Sequence, residues 1–580
     1  MIDSRLLHRA ASAWPGTATP SRELERAVQF LQLGREETGV VTASAVVEAG
    51  YLLGVVASVA SALGLGLLGA RVDVPTVALV AVPAAVGLLF THVVHSAPVW
   101  LATFQRTRAL GSVAGVVGLL ALRLRLSPTP ERAAQFAGNV REGPLAASLA
   151  RHAAAADGRP DAGLIAWAEA WQSWFPALDR AVALLVASVD APPASRERTL
   201  DRAVETVGDA VESRAAAFAS QIRGPVTGLY AVGVLLPLAL VGAVPAAAVT
   251  GLPVTPTTFV LTYDVLLPVG VAVAGGRILL TRPVAFPPPS VPRDHPEIPD
   301  RRRRTVVATL AGGAVGWIVA ERVVAAWAGP LAAVGTAVGT GLIVWFHPAR
   351  TVRERVRELE RGLPDALALV GRSVADGESV EAAVAGAATD LPGPVGTAFD
   401  RATRRRRRLR VGVERAFCGD HGPFVETPTP AGCAVAVLLG VTAETGQPAG
   451  SVLLDEAERL DTLRDHEQRA RRSVATVTDT LSNTAAVFGP LVGGATVAMA
   501  SHLDGVDATA LAGEGAALST PLLGTTVGTY VLLLAVLLPA LASTLRAGVD
   551  PVLVGSRVGR TLLSATATFL LGVWATGLLV

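Results

Sequence analysis

The residues of this chain that could do chemistry are few and scattered. Cys418, His421 and Cys433 have the types and rough spacing of three zinc ligands, with His466 a distant fourth. The spacing is irregular, however, and Cys433 opens an apolar helical run. A packed thiol and a loop histidine read the same stretch more simply. Asp264 stands inside a long apolar segment, where an acid is costly and marks either a proton path or a polar contact between helices. Two arginine runs stand out. Arg301–Arg304 abuts an apolar segment, as a topology determinant touching anionic lipid would. Arg404, Arg405, Arg406, Arg407 and Arg408 lie in RATRRRRRLR, which reads as a solvated face or as an electrostatic dock for an acidic partner. That run lacks the aromatic residues on which bases stack, so nucleic acid is not an expected partner.

Several chemistries are absent. A Walker A loop needs a lysine to reach the β- and γ-phosphates, and all 50 basic residues are arginine. This arginine usage fits a genome-wide bias or adaptation to salt as readily as a local role. His466-Glu467 lacks the second histidine of a metalloprotease motif, and no Gly-x-Ser-x-Gly occurs. The chain is read as a non-enzyme with no cofactor, so energy for any movement has to come from a partner.

The elements that hold these residues are mostly apolar. Hydrophobic residues make up 51% of 580, charged residues 17%, and mean hydropathy is +0.47. That composition suggests many membrane spans. Two cysteines exclude a disulfide scaffold, and the polar first 40 residues carry no signal-peptide core. Nine segments are long and apolar enough to span: 46–69, 77–95, 225–249, 257–280, 305–326, 329–346, 484–502, 522–545 and 561–580. With the N-terminus inside, 48 of the 50 arginines fall on the inner side; only Arg71 and Arg322 fall outside. The expectation is a multi-pass protein of the cell membrane with its C-terminus outside. Its parts are a cytoplasmic segment 1–45, two spans in 46–95, and a cytoplasmic helical domain 96–224. Four spans follow in 225–346, with an Arg-rich loop at 281–304, then a second helical domain 347–483 and three spans in 484–580.

The two inner domains share a stretch. SPTPERAAQFAGNVREGPL (127–145) and GESVEAAVAGAATDLPGPV (377–395) align at an offset of 250, which places Glu131 on Glu381, Ala133 on Ala383 and Pro144 on Pro394. Leu359, Leu363, Ala366, Leu367, Val370 and Val374 form one helix face, as do Val113, Val116, Val117, Leu120 and Leu124. Pro364 reads as lying near a helix start, and Asp376-Gly377 as its end. Trp167, Trp171, Trp174 and Phe175 read as core. A charged helix in 199–238 resembles one in 453–491, with Pro237 on Pro490, and each is expected to run straight into a span. The fold class is thus an all-α integral membrane protein, about nine transmembrane helices with two duplicated cytoplasmic helical bundles.

GLPDALALVGRSVADGESVEAAV (362–384) resembles the signature of the type II secretion system F domain, carried by Leu363, Pro364, Asp365, Ala366, Leu367, Gly377, Ser379, Glu381 and Ala382. GQPAGSVLLDEAERL (446–460) fits the second half of that module. The whole chain resembles the membrane platform proteins of archaeal type IV pilus, archaellum and type II secretion-like machines. The first copy departs from the pattern, with Val113-Ala114-Gly115-Val116-Val117 in place of Leu-Pro-Asp-Ala-Leu. The resemblance implies a scaffold that binds a hexameric cytoplasmic secretion ATPase and relays its movement to pilin-like or archaellin-like subunits. Homodimerisation is left open. On this reading Glu131, Glu381 and the run 404–408 are candidate partner contacts, and the lipid bilayer is the surrounding solvent. The alternative from another class is a secondary transporter or channel. Few intramembrane charges, and no Gly/Pro-broken spans in matched places, argue against it. A membrane enzyme is a third class, which the absent motifs disfavour.

Overall fold

The structure is a computed structural model that describes residues 12–16, 18–32, 42–69, 76–140, 143–156, 161–249, 255–282, 295, 298, 301–445, 449–503 and 519–579. It is all-α, with no strand among these residues. Nine described helices are long and apolar enough to cross a membrane, and each overlaps one of the nine segments expected from the sequence. Arg71 lies outside the described residues.

Two helical bundles stand beside the spans, each with its own apolar core. The first gathers the helices Val113–Leu126, Pro130–Val140, Pro144–Ala154, Ala162–Gln172 and Pro176–Ala187. Val113, Val116, Val117, Leu120 and Leu124 are buried there, as are Trp167, Trp171 and Phe175. The short Arg22–Gln32 helix joins this bundle by packing Phe30 edge-on to Trp171 and Trp174. The second bundle holds the end of Ala328–Ala375 with Val380–Asp390, Gly393–Leu409 and Pro430–Thr445. Its core takes in the expected face from Leu359 to Val374 and its neighbours Val380, Ala383, Val384 and Ala387.

Sequence-drawn domain boundaries do not coincide with helix ends. Helices pass through positions 224, 346 and 483. Ala328–Ala375 is a single helix of 48 residues, about 72 Å at 1.5 Å per residue. It spans and then continues as the first helix of the second bundle. Pro364 is therefore deep inside a helix rather than near its start. Periodicity shows which face is buried, but a start signal is only a start where the preceding turn is not already helical. The far end matches expectation. Gly377 takes φ +99°, its N–H reaches the Val374 carbonyl at 3.1 Å, and Glu378 N–H reaches Ser373 at 3.0 Å. Ser379 then caps the next helix by accepting from Ala382 N–H.

Two span hairpins are closed by small residues, as expected where backbones approach in lipid. In Ala43–Gly69 against Thr76–Leu110, the Ser58 hydroxyl donates to the Pro83 carbonyl at 2.8 Å. In Arg302–Val323 against Ala328–Ala375, Thr336 donates to Gly312 O at 2.8 Å and Thr340 to Ala308 O at 3.1 Å. A Cβ on Gly312 would press on the Thr340 side chain, so only glycine allows this crossing.

Candidate functional site

Each bundle returns to the spans through one charged helix, Pro193–Tyr230 and Ala449–Asn483. Acids and arginines alternate on their exposed faces, while Leu200, Ala203, Val207, Val211 and Ala215 line the buried face of the first. These two junction helices pack side by side. Neither is interrupted before its apolar stretch: the helix is continuous through 222–226 and through 480–485.

Polar contacts join the two junction helices to each other and to the first bundle. The Glu212 carboxylate meets His466 Nδ1 and the Arg469 guanidinium, both at 2.9 Å. Arg125, on Val113–Leu126, pairs with Asp201 and lies 4.0 Å from Asp455. Arg459 is buried, donates to the Gly118 carbonyl and pairs with buried Glu456. Gly118 is packed against Leu463 and the Arg459 guanidinium; a Cβ there would meet them at 3.5 and 3.6 Å, ordinary contact distances.

Where the junction helices enter the span region, both change to a π turn. These turns are Ala231–Leu235 and Thr484–Phe488, and each is followed, after one intervening residue, by proline, Pro237 and Pro490. A third π turn, Leu261–Leu266, precedes Pro268 in the same way. Proline cannot donate to the carbonyl four residues back, and its ring would clash with it. The wider turn relieves the clash, and hydroxyls from neighbouring spans take the freed carbonyls. Tyr530 donates to Gly233 O, while Ser564 at 2.9 Å and Thr568 at 3.1 Å donate to Ala486 O. Tyr263 donates to Pro237 O at 2.7 Å and stands edge-on to Tyr530. The expectation is that no matched spans are broken by Gly or Pro, and neither helix is broken here. The helices are not unwound, but both carry the same π-proline device, which hydropathy cannot register because it leaves the apolar run intact.

We expect Tyr530→Phe to cost about 1–3 kcal/mol, the penalty for leaving a buried carbonyl unsatisfied. Ser564→Ala and Thr568→Val should each cost less, because the remaining hydroxyl still serves Ala486 O. The double variant should match Tyr530→Phe. Melting midpoints of the four proteins in one detergent check this ordering.

Asp264 sits in the third π turn, with Oδ1 buried and unpartnered. Glu131 and Glu381 occupy the same place, second residue of the 11-residue helices Pro130–Val140 and Val380–Asp390. Both are half-buried, and Glu131 Oε2 has no partner. Arg404–Arg408 form the last turns of Gly393–Leu409, where cations suit the helix terminus. Arg404, Arg407 and Arg408 are exposed, Arg405 and Arg406 half-buried, and Arg404 pairs with Asp400. The proposed zinc set does not assemble. Cys418 and Cys433 stand with sulfurs 2.7 Å apart, the Cys418 thiol held up by donating to Cys433. His421 is exposed at φ +60°, and His466 belongs to the junction contact instead. Among the described residues no three His, Cys, Asp or Glu are grouped for a metal. Contacts of this kind between distant helices leave no local spacing in the sequence, which is why His466 was grouped with the cysteines.

Close to the junction, Arg282 is buried and donates to the Thr544 and Arg546 carbonyls at the end of Thr520–Ala547. Burial, and then the charge of Arg471, push its guanidinium down to about 9. Comparison of the chain with protein families, curated proteins and solved structures returns no match.

Proposed function

We propose that the chain is the membrane platform of a type IV pilus-like or type II secretion-like machine, a scaffold with no catalytic site of its own. One observation carries this reading: three unbroken helices join the bundles to the spans, in the apolar-helix segments Ser195–Ala243, Ala328–Ala375 and Gly450–Ser501. A rigid helix transmits displacement, so force on a bundle reaches the lipid-embedded part without loss in a linker. The equal helices at 130–140 and 380–390, and the π turns 253 positions apart, support descent of both bundles from one duplicated module. In this reading both bundles face the cytoplasm, a hexameric ATPase supplies the force, and pilin-like or archaellin-like subunits receive it.

The test is affinity capture of the tagged full chain in mild detergent, with cross-linking and mass spectrometry. Cross-links from 96–224 or 347–483 to a secretion ATPase support the proposal; a preparation free of ATPase with and without nucleotide overturns it. Reversing Arg404–Arg408 to glutamate should weaken ATPase retention about tenfold at low salt, a difference that shrinks as salt rises.

A transporter is the second reading, favoured by the matched π-proline spans and the buried, unpartnered Asp264 Oδ1. It requires that the purified protein bind or move a small solute, and that Asp264→Asn abolish this.

A further inference from the structure

A cavity of about 380 Å³ lies where the second bundle meets the spans. Four helices converge on it. Ala328–Ala375 contributes Arg350, Arg353 and Arg357, just past its apolar stretch. The junction helix Ala449–Asn483 contributes Arg471 and Arg472. Arg546 comes from the end of Thr520–Ala547, and Arg557 and Arg560 from the start of Pro551–Leu579. Eight arginines thus line the cavity with a single carboxylate, Glu354.

Half of the charge is cancelled locally and half is not. Glu354 pairs with Arg350 at 2.7 Å, Asp550 with Arg353 at 2.7 Å, Asp479 with Arg546 and Glu467 with Arg471. Arg357 and Arg557 make no direct ion pair among the described residues, although Glu354 and Asp550 act on Arg357, and Asp479 on Arg557, from further away. Arg471 stands close enough to Arg357 and Arg282 to repel both. The positive-inside bias accounts for arginines in connecting segments near span ends. It does not require them to converge from four helices on one hollow. Like charges gathered there oppose folding unless an anion joins them.

We propose that this cavity binds a phosphate oxyanion, supplied by the headgroup of an anionic phospholipid. Guanidinium groups match phosphate in a planar, two-bond geometry that ammonium groups do not offer. The volume is that of a small-ligand site. Its place is the depth of headgroups, at the ends of three apolar runs, and Val552, Leu553 and Ala475 give it apolar walls beside the charge. A lipid phosphate there would tie together the long span-bundle helix, the junction helix and the last two spans. The inference does not depend on the platform reading.

The test uses the full chain purified in a neutral detergent. Phosphatidylglycerol, phosphatidylcholine and inorganic phosphate are added separately, and binding is read by native mass spectrometry and by melting midpoint. The expected result is a retained phosphatidylglycerol adduct and a raised midpoint, with no effect of phosphatidylcholine. Arg357→Gln/Arg557→Gln should weaken this binding about tenfold or more, the worth of a charge-assisted hydrogen bond. These arginines have no carboxylate to orphan, and Arg560→Gln provides a milder second variant. Glutamine at Arg407 and Arg408 removes equal charge elsewhere and should change nothing. If inorganic phosphate raises the midpoint as much as phosphatidylglycerol, the site is an oxyanion site fed from solution, and the lipid source is rejected. If neither probe binds the wild type, or both cavity variants bind as it does, the proposal falls.

Discussion

Arg459→Ala should lower the stability of the whole chain by about 3–5 kcal/mol, the cost of removing one partner from a buried ion pair. Arg459 and Glu456 are both buried on the junction helix of the second bundle. The guanidinium also donates to the Gly118 carbonyl, in the first bundle. Alanine therefore removes two things at once: the pair and the link between bundles. Glu456 would be left as a buried carboxylate, with Oε2 already unpartnered. Desolvating a charge without compensation is what makes the loss large. Replacing both residues by apolar ones of similar size, Glu456→Leu with Arg459→Met, should recover most of it, because no charge is then orphaned. Scan-rate-matched melts in detergent, followed by tryptophan emission, read this directly: Trp167, Trp171 and Trp174 sit in or against the first core. Equal midpoints for Arg459→Ala and wild type would mean that the bundles do not rely on this contact.

The parts of the fold that were legible were those that sequence writes in period or composition. All nine apolar segments overlap helices long enough to span, because apolarity over about 20 residues is a requirement of the bilayer itself. The inward faces Leu359–Val374 and Val113–Leu124 were legible because burial repeats at helical spacing. What could not be read was where a helix fails to stop. Pro364 was taken as an opening residue, yet a 48-residue helix passes through it. Phe30 could not be assigned to the first bundle, since its partners Trp171 and Trp174 are far along the chain.

The candidate site was less legible for the same reason. Of the residues singled out for chemistry, Glu131 and Glu381 share the helix position that their 250-residue offset implies, whereas nothing in the run Arg404–Arg408 marked it as the end of a helix. The junction contacts and the arginine cavity join residues up to 341 positions apart, and nothing local marks Arg353 as different from Arg355. The π turns were half visible: Pro237 and Pro490 aligned, but the hydroxyls that make them tolerable come from Tyr530, Ser564 and Thr568 on other spans.

Asp550 carries the second large effect, because one carboxylate oxygen does two tasks. Its Oδ1 accepts from Val552 and Leu553 N–H, both at 2.9 Å, capping the last span. The same atom accepts from Arg353 at 2.7 Å, on the long span-bundle helix, and both side chains are nearly buried. Asp550→Ala uncaps Pro551–Leu579 and orphans Arg353 beside its arginine neighbours. A loss of about 3–5 kcal/mol is expected, dominated by the unpaired charge. Asp550→Asn separates the two tasks. Its side-chain oxygen still caps the helix and still accepts from Arg353, but without charge, so it should lose well under half as much. Added sodium chloride should narrow the gap between Asn and wild type by screening the excess arginine charge, and leave the Ala deficit largely in place. If Ala and Asn melt together, capping is not what Asp550 supplies; if Ala melts with wild type, the last span does not depend on this link to the second bundle.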